Sequence, residues 1–488
     1  MTVSETYSLR QRIGLAAGPL ALVVSLSIPP PSNMPAEAWQ VSGIGALMAI
    51  WWASEAVPIP VTALLPLLLL STLGTSSIIQ AAAPYANPII FLFLGGFMIA
   101  LAVQRWQLHR RIALNVIGLT GTKPVTIIAG FMVATAFLSM WVSNTATTIM
   151  MLPIGVSVIG LATNTSGTEL AESDPTNFGI SLMLGIAYSA SIGGMATLIG
   201  TPPNALLAGF MLETYGVDIG FAEWMLIGVP LTVILLPITW VILTKVVFPI
   251  RIDSITGGRE IIADELNRLG PLSKEEKLVI IVFALTALLW LFRSLVNRWI
   301  PGLSLSDTSI AIAGAIALFV IPTNLRKGEF LLNWEWAKRL PWDVLILFGG
   351  GLSLANAINQ TGLDTWIGET VSGVNVFPVL IIVLTITAVI VFLTELTSNT
   401  ATAAVFLPII ASVAVGMNQS PFLLVVPAAL AASSAFMMPV ATPPNAIIYG
   451  SGMVTIPQMV RAGILMNIVA IFIITALAYA LVIAAFDL

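Results

Sequence analysis

Charge is missing from this sequence over lengths that a water-soluble fold could not hide. No Asp, Glu, His, Lys or Arg occurs from Pro124 to Gly160, from Phe178 to Leu212 or from Pro421 to Val460, and the stretch 374–416 carries only Glu395. A bilayer core about 30 Å thick needs roughly 20 apolar residues per helix, so each stretch is a membrane segment and some are long enough for two passes. Composition agrees: 58% of the 488 residues are apolar, 9% are charged and the mean hydropathy is +1.00, whereas soluble domains are about 25% charged. One histidine and no cysteine remove most metal-ligand sets, thiol chemistry and disulfide frameworks. A net charge of −4 without a basic run argues against nucleic acid as a partner.

Apolar runs mark spans near 13–29, 40–57, 60–75, 87–104, 178–213, 223–248, 277–292, 308–322, 343–359, 421–451 and 461–485, with longer stretches at 124–160 and 374–416. The first run follows Arg10 and Arg12 and ends at Pro29-Pro30-Pro31 without a small-residue cleavage pattern; it reads as a span and not as a cleaved leader. If 124–160 and 374–416 each enter and leave on one side, every Lys and Arg except Arg293 and Arg298 falls in loops of a single face. The positive-inside rule makes that face cytoplasmic. The N-terminus is then in the cytoplasm and the C-terminus outside, with the first re-entrant hairpin opening inward and the second outward. The expected fold is an all-α polytopic membrane protein of about eleven transmembrane helices with two re-entrant hairpins.

Self-comparison finds a repeat. Leu92-Phe93-Leu94-Gly95-Gly96 matches Leu347-Phe348-Gly349-Gly350-Gly351, SNTATT at 143–148 matches SNTATA at 398–403, and GTPPNA at 200–205 matches ATPPNA at 441–446. Opposite hairpin openings make the halves inverted repeats, the architecture of secondary transporters with a midplane site.

The matched motifs carry the polar chemistry. Irregular backbone at membrane depth must be buried or line a cavity. Ser143-Asn144-Thr145 and Ser398-Asn399-Thr400 sit where one half-helix ends in free carbonyls and the next begins with free amides. Carbonyls, hydroxyls and amide oxygens suit a hard cation such as Na⁺, and free amides at a positive helix end suit a carboxylate. In Thr201-Pro202-Pro203-Asn204 and Thr442-Pro443-Pro444-Asn445 the prolines lack N–H groups, which frees the carbonyls of Leu198, Ile199, Pro439 and Val440. One TPPN alone reads as a kink, and one SNT alone as hydroxyls bonding back to their helix. Two copies of each, in order, point to a built site. His109, beside Arg110 and Arg111, reads as interfacial, Asp343 as a helix-end cap, and Trp334 and Trp336 as interface anchors. Glu395, one turn before the second tip, is open between orienting the tip and binding an ion. The apolar segments offer a dianion no Arg or Lys, so cotransported cations are the natural source of counter-charge.

With these motifs, the stretch SEAVPIP at 54–60, and SMWVSNT and TELTSNT leading into the tips, the chain resembles the divalent anion:sodium symporter family, transporters of Krebs-cycle dicarboxylates and citrate. The resemblance runs essentially full length. It implies a homodimer in the bilayer, with a scaffold domain at the interface and a transport domain moving as a rigid elevator. It also implies one Na⁺ site on Ser139, Ser143, Asn144 and the Gly200 carbonyl, and a second on Thr394, Thr397, Asn399 and the Ala441 carbonyl. The substrate carboxylates would meet Asn144, Thr145, Asn399 and Thr400, joined by Thr201, Thr442 and Pro443. Thr397 stands where relatives carry Ala. Thr201 stands where some carry Ser, a methyl that works against larger tricarboxylates.

The domain division expected is scaffold and first interfacial arm at 1–123, first hairpin and broken helix at 124–214, and scaffold with a cytoplasmic loop (249–276) at 215–359. The second arm, hairpin and broken helix follow at 360–460, and the last helix at 461–488. The function expected is Na⁺-coupled import of C4-dicarboxylates across a bacterial inner membrane. The alternatives are a dicarboxylate exchanger, or a symporter of citrate or another divalent anion, on the same fold. An intramembrane enzyme fits poorly, since the spans hold no Asp pair, Ser/His dyad or His cluster.

Overall fold

The computed structural model describes residues 7–165, 173–252, 258–300, 302–371 and 377–485. The start of the second long apolar stretch, part of the loop 249–276 and the last three residues lie outside them. Among the described residues the regular structure is helical apart from one short antiparallel pair, Pro322–Asn324 with Glu329–Phe330.

Among the described residues, six helices are long and apolar enough to cross a bilayer: Leu9–Ser27, Ile78–Arg105, Phe221–Val247, Lys274–Trp299, Asn399–Gly416 and Ile456–Leu477. The pair Trp342–Gln360 and Leu363–Thr370, bent by 70°, makes a seventh if it counts as one span. This is fewer than the eleven expected from hydropathy. The shortfall has a physical origin: much of the remaining apolar sequence is divided into shorter helices, including Pro124–Ser139, Val379–Thr394 and Phe422–Ala432. Divided helices are tolerated at membrane depth only where protein re-satisfies the broken backbone.

The sequence repeat reappears in the element boundaries. Pro88–Arg105 corresponds to Trp342–Gln360, Leu108–Gly118 to Leu363–Val371, Pro124–Ser139 to Val379–Thr394 and Asn144–Thr165 to Asn399–Gly416. Between the first two members of each series the chain turns through a left-handed residue, Gln107 (φ 55°) in one half and Gly362 (φ 73°) in the other. A non-glycine side chain in that region costs free energy, so the matched bend is imposed by the surroundings.

Packing then crosses between halves. The helix after the first proline break, Pro202–Tyr215, lies against Asn399–Gly416 of the second half, and the helix after the second break, Pro443–Gly450, lies against Asn144–Thr165 of the first. Each break is thereby brought to the other half's tip. The ion pairs do not mix the basic residues assigned to the two faces: Arg10 pairs with Glu55, Arg110 with Glu265 and Arg111 with Glu276 on the face read as cytoplasmic, and Arg293 with Asp218 and Asp307 on the other.

Candidate functional site

At the first tip, the helix ending at Ser139 gives way to Met140–Ser143 before a new helix starts at Asn144. Ser143 Oγ accepts the Ala146 N–H at 3.3 Å, capping the new helix. Ser139 Oγ, fully buried, donates to Asn144 Oδ1 at 2.5 Å. The second tip repeats this arrangement: Thr394 Oγ1, also fully buried, lies 2.7 Å from Asn399 Oδ1 and 2.9 Å from the Ala432 carbonyl. Each tip therefore gathers a hydroxyl and an amide oxygen, the neutral hard donors that suit an alkali cation. Thr397 differs, because its hydroxyl is engaged by the Leu393 carbonyl at 3.0 Å and by Thr402 Oγ1 at 2.6 Å. What it can offer a cation is its carbonyl.

The breaks are longer than proline chemistry alone predicts. The preceding helices end at Gly194 and Ala432, well before the freed carbonyls expected at 198–199 and 439–440. The asparagine of each TPPN motif accounts for the difference. Asn204 Nδ2 reaches the carbonyls of Gly194, Met195 and Thr197 at 3.3, 3.4 and 2.7 Å, and Asn445 Nδ2 reaches those of Ala435 and Met438 at 3.3 and 3.0 Å. These side chains satisfy backbone that would otherwise be orphaned in a dry interior. Thr201 (φ −143°, ψ 142°) and Thr442 (φ −139°, ψ 148°) are the extended residues that precede the new helices. Only Thr442 caps its helix, accepting the Asn445 N–H at 3.2 Å.

Glu395 is buried and has a structural occupation. Its Oε1 accepts the N–H groups of Phe436 and Met437 at 2.7 and 2.9 Å and Asn467 Nδ2 at 2.8 Å, and its Oε2 accepts the Met438 N–H at 2.9 Å. It orients the second break. The sequence marks it as an uncommon buried acid, but the three-amide clamp and the two asparagine clamps are tertiary features that spacing does not reveal.

A cavity of about 820 Å³ joins these parts. Ser143, Asn144 and Thr145 of the first tip line it together with Ser398, Asn399 and Thr400 of the second; Gly200, Thr201, Ala441, Thr442 and Pro443 complete the inner wall. Every residue expected to meet substrate lies on this wall. Ser139, Thr394 and Thr397 do not; they sit behind the tips. The outer wall brings a correction, because the cavity is not free of basic groups. Arg339 lines it, with Glu55, Gln104 and Asp343. Arg339 escaped the count of charges within apolar segments because it lies in a loop outside them.

His109 Nδ1 donates to the Val103 carbonyl, 3.2 Å away; burial pulls its pKa down to about 4, and the Arg110 charge acts in the same direction. It does not line the cavity. Trp336 supports Arg339, and Trp334 is exposed.

Divided helices paired by an internal repeat, with their breaks facing one cavity, define a polytopic membrane carrier. The family described as sodium:sulfate symporter transmembrane region matches residues 11–485, and this chain belongs to it. The sodium-dependent dicarboxylate transporter SdcS of Staphylococcus saprophyticus is 43% identical over 481 residues, covering 98% of this chain and 93% of that protein. SdcS of Staphylococcus aureus is 45% identical over 477 residues, covering 97% and 92%. Two solved structures share the fold: the YdaH transporter of Alcanivorax borkumensis (TM-score 0.56, 10% identity, 98% and 99% covered) and MtrF of Neisseria gonorrhoeae (0.57, 12%, 97% and 95%).

Proposed function

We propose that this protein imports C4-dicarboxylates of the succinate, malate and fumarate class by coupling them to Na⁺. The observation that carries the reading is the meeting of two Asn-Thr tips and two proline breaks on one cavity wall. Half-helix ends and amides there favour carboxylates, while the hydroxyl–amide oxygen pairs behind them favour Na⁺. In this reading Ser139, Ser143, Asn144 and the Gly200 carbonyl hold one Na⁺; Thr394, Asn399 and the carbonyls of Thr397 and Ala441 hold another. Asn144, Thr145, Thr201, Asn399, Thr400, Thr442 and Pro443 hold the substrate. The names of the SdcS relatives support this substrate class over sulfate.

The eleven spans, the inverted orientation of the halves, the domain division at 123, 214, 359 and 460, the homodimer and the elevator motion belong to the same reading. So does a bacterial inner-membrane location with the N-terminus in the cytoplasm. Two features support the orientation: the ion pairs that do not mix the two faces, and an outer cavity wall built from loops assigned to the cytoplasmic face. The conformation described is then inward-open.

Labelled succinate uptake into proteoliposomes tests the function. An inward Na⁺ gradient is expected to drive concentrative uptake without internal substrate. Uptake indifferent to Na⁺ but dependent on preloaded dicarboxylate would establish exchange in its place, and sulfate displacing succinate at equal concentration would move the substrate class.

A further inference from the structure

The inner wall of the cavity is neutral, yet the outer wall carries one basic residue, and that residue is laid on an aromatic ring. Arg339 Cζ lies 4.2 Å from the centre of the Trp336 ring. The ion pairs among the described residues occupy Arg10, Arg110, Arg111, Arg268, Arg293 and Lys338, and not Arg339. Its support is firm. Trp336 lies in the short helix Trp334–Ala337, which Asn333 Oδ1 caps through the Trp336 N–H at 3.1 Å, and the flanking Ala337 and Leu340 are buried. Stacking on an aromatic face restricts the guanidinium while leaving its edge donors free.

We propose that Arg339, laid on Trp336 at the cavity mouth, receives one carboxylate of the dicarboxylate as it passes between water and the two Asn-Thr tips. Two acids share the mouth and bear on this. Glu55 is paired with Arg10 at 3.9 Å, and Asp343 lies in the first turn of Trp342–Gln360, where the positive helix end offsets part of its charge. With Arg10 and Arg339 against Glu55 and Asp343, the mouth is close to neutral. Recognition therefore comes from the planar fork of one guanidinium, which matches a carboxylate in two hydrogen bonds, and not from a broad positive field. Arg339 is a substrate-positioning residue on the path, distinct from the inner wall, and its role rests on the transport reading above.

Succinate transport in right-side-out and inside-out membrane vesicles, at fixed Na⁺, isolates this role. Arg339→Gln is expected to raise the succinate KM about three- to ten-fold from the mouth side, the range for an exposed charge-assisted pair. The Na⁺ half-saturation and the KM from the opposite face are expected to stay as in the native protein, and the maximal rate from the mouth side to rise in step with its KM, because detailed balance in a reversible carrier fixes the ratio of maximal rate to KM between the two faces. Arg339→Lys, a point charge without the fork, should fall between, and Trp336→Ala should reproduce part of the rise. An unchanged mouth-side KM overturns the proposal, as does an equal rise in KM at both faces, which would make Arg339 merely structural. Failure of Na⁺-driven uptake in the native protein would instead overturn the transport reading itself.

Discussion

The two halves build the same break with opposite chemistry. Position 140 of the first tip corresponds to position 395 of the second. In the first half Met140 contributes only its backbone carbonyl, which accepts from Thr197 Oγ1 at 2.5 Å, while Trp224 Nε1 holds the Met195 carbonyl at 3.1 Å. In the second half the Glu395 carboxylate collects three backbone amides and Asn467. One half thus restrains its unwound segment with donors on carbonyls, the other with an acceptor on amides. The asparagine clamps and the tip oxygen pairs are common to both. What is shared is the set of polar groups at the tips and breaks; what differs is the supporting frame. Selection for a function needing two similar sites would leave this pattern.

The largest effects should fall on the shared part, and equally on both halves. Asn144→Ala and Asn399→Ala are each expected to abolish succinate uptake and to raise the Na⁺ half-saturation at least about ten-fold, equivalent to about 1.4 kcal/mol. Uptake assays and Na⁺ titrations of thermal stability report the two effects; a defect confined to one variant would break the equivalence of the halves.

The frame should respond unequally. Glu395→Ala leaves the Phe436 amide, which is buried, and the half-buried Met437 and Met438 amides without an acceptor, at up to about 1–3 kcal/mol each. A large fall in the detergent unfolding temperature is expected. Met140→Ala keeps its backbone carbonyl and should cost far less. Comparable losses in the two variants would contradict the assignment of Glu395 as a clamp.

A smaller difference lies at the residues before the TPPN threonines. A methyl added at Gly200 would sit 2.4 Å from the Gly194 carbonyl oxygen, and one at Gly194 would sit 2.6 Å from Asn144 Oδ1. The second half has Ala435 and Ala441 at the corresponding places. Gly200→Ala is therefore expected to cost about 1–3 kcal/mol and to weaken Na⁺ activation, whereas Ala441→Gly should leave Na⁺ activation close to native.

The smallest effect concerns the arms, where His109 of the first corresponds to Asp364 of the second. The folded pKa of His109 is lowered to about 4 from 6.5, so the unfolded chain binds the extra proton first as pH falls. Stability should decline below about pH 6.5 and level off near pH 4. His109→Gln should remove that component of an unfolding-temperature profile, and an unchanged profile would show that the imidazole stays neutral for no energetic reason.

How far the sequence discloses this molecule depends on which features repeat. The tips and the TPPN breaks stand out because each occurs twice in apolar surroundings, and all residues expected on the substrate wall do meet there. The helix divisions are only half visible. Prolines announce where new helices begin, but the early ends at Gly194 and Ala432 depend on Asn204 and Asn445 reaching back seven to ten residues. Hydropathy accordingly reads as single spans several segments that the structure divides. Arg339 is invisible for another reason: it is remote in sequence from both tips, and only the crossed packing of the halves brings it to their cavity.

Coupling of the two fluxes tests the central claim most directly. Radiolabelled sodium and labelled succinate would be followed together into the same proteoliposomes, at several inward Na⁺ gradients. Two neutral cation sites predict at least two Na⁺ entering with each succinate, with both fluxes lost together in Asn144→Ala and in Asn399→Ala. Succinate entering unaccompanied by sodium, at any gradient, would contradict the account.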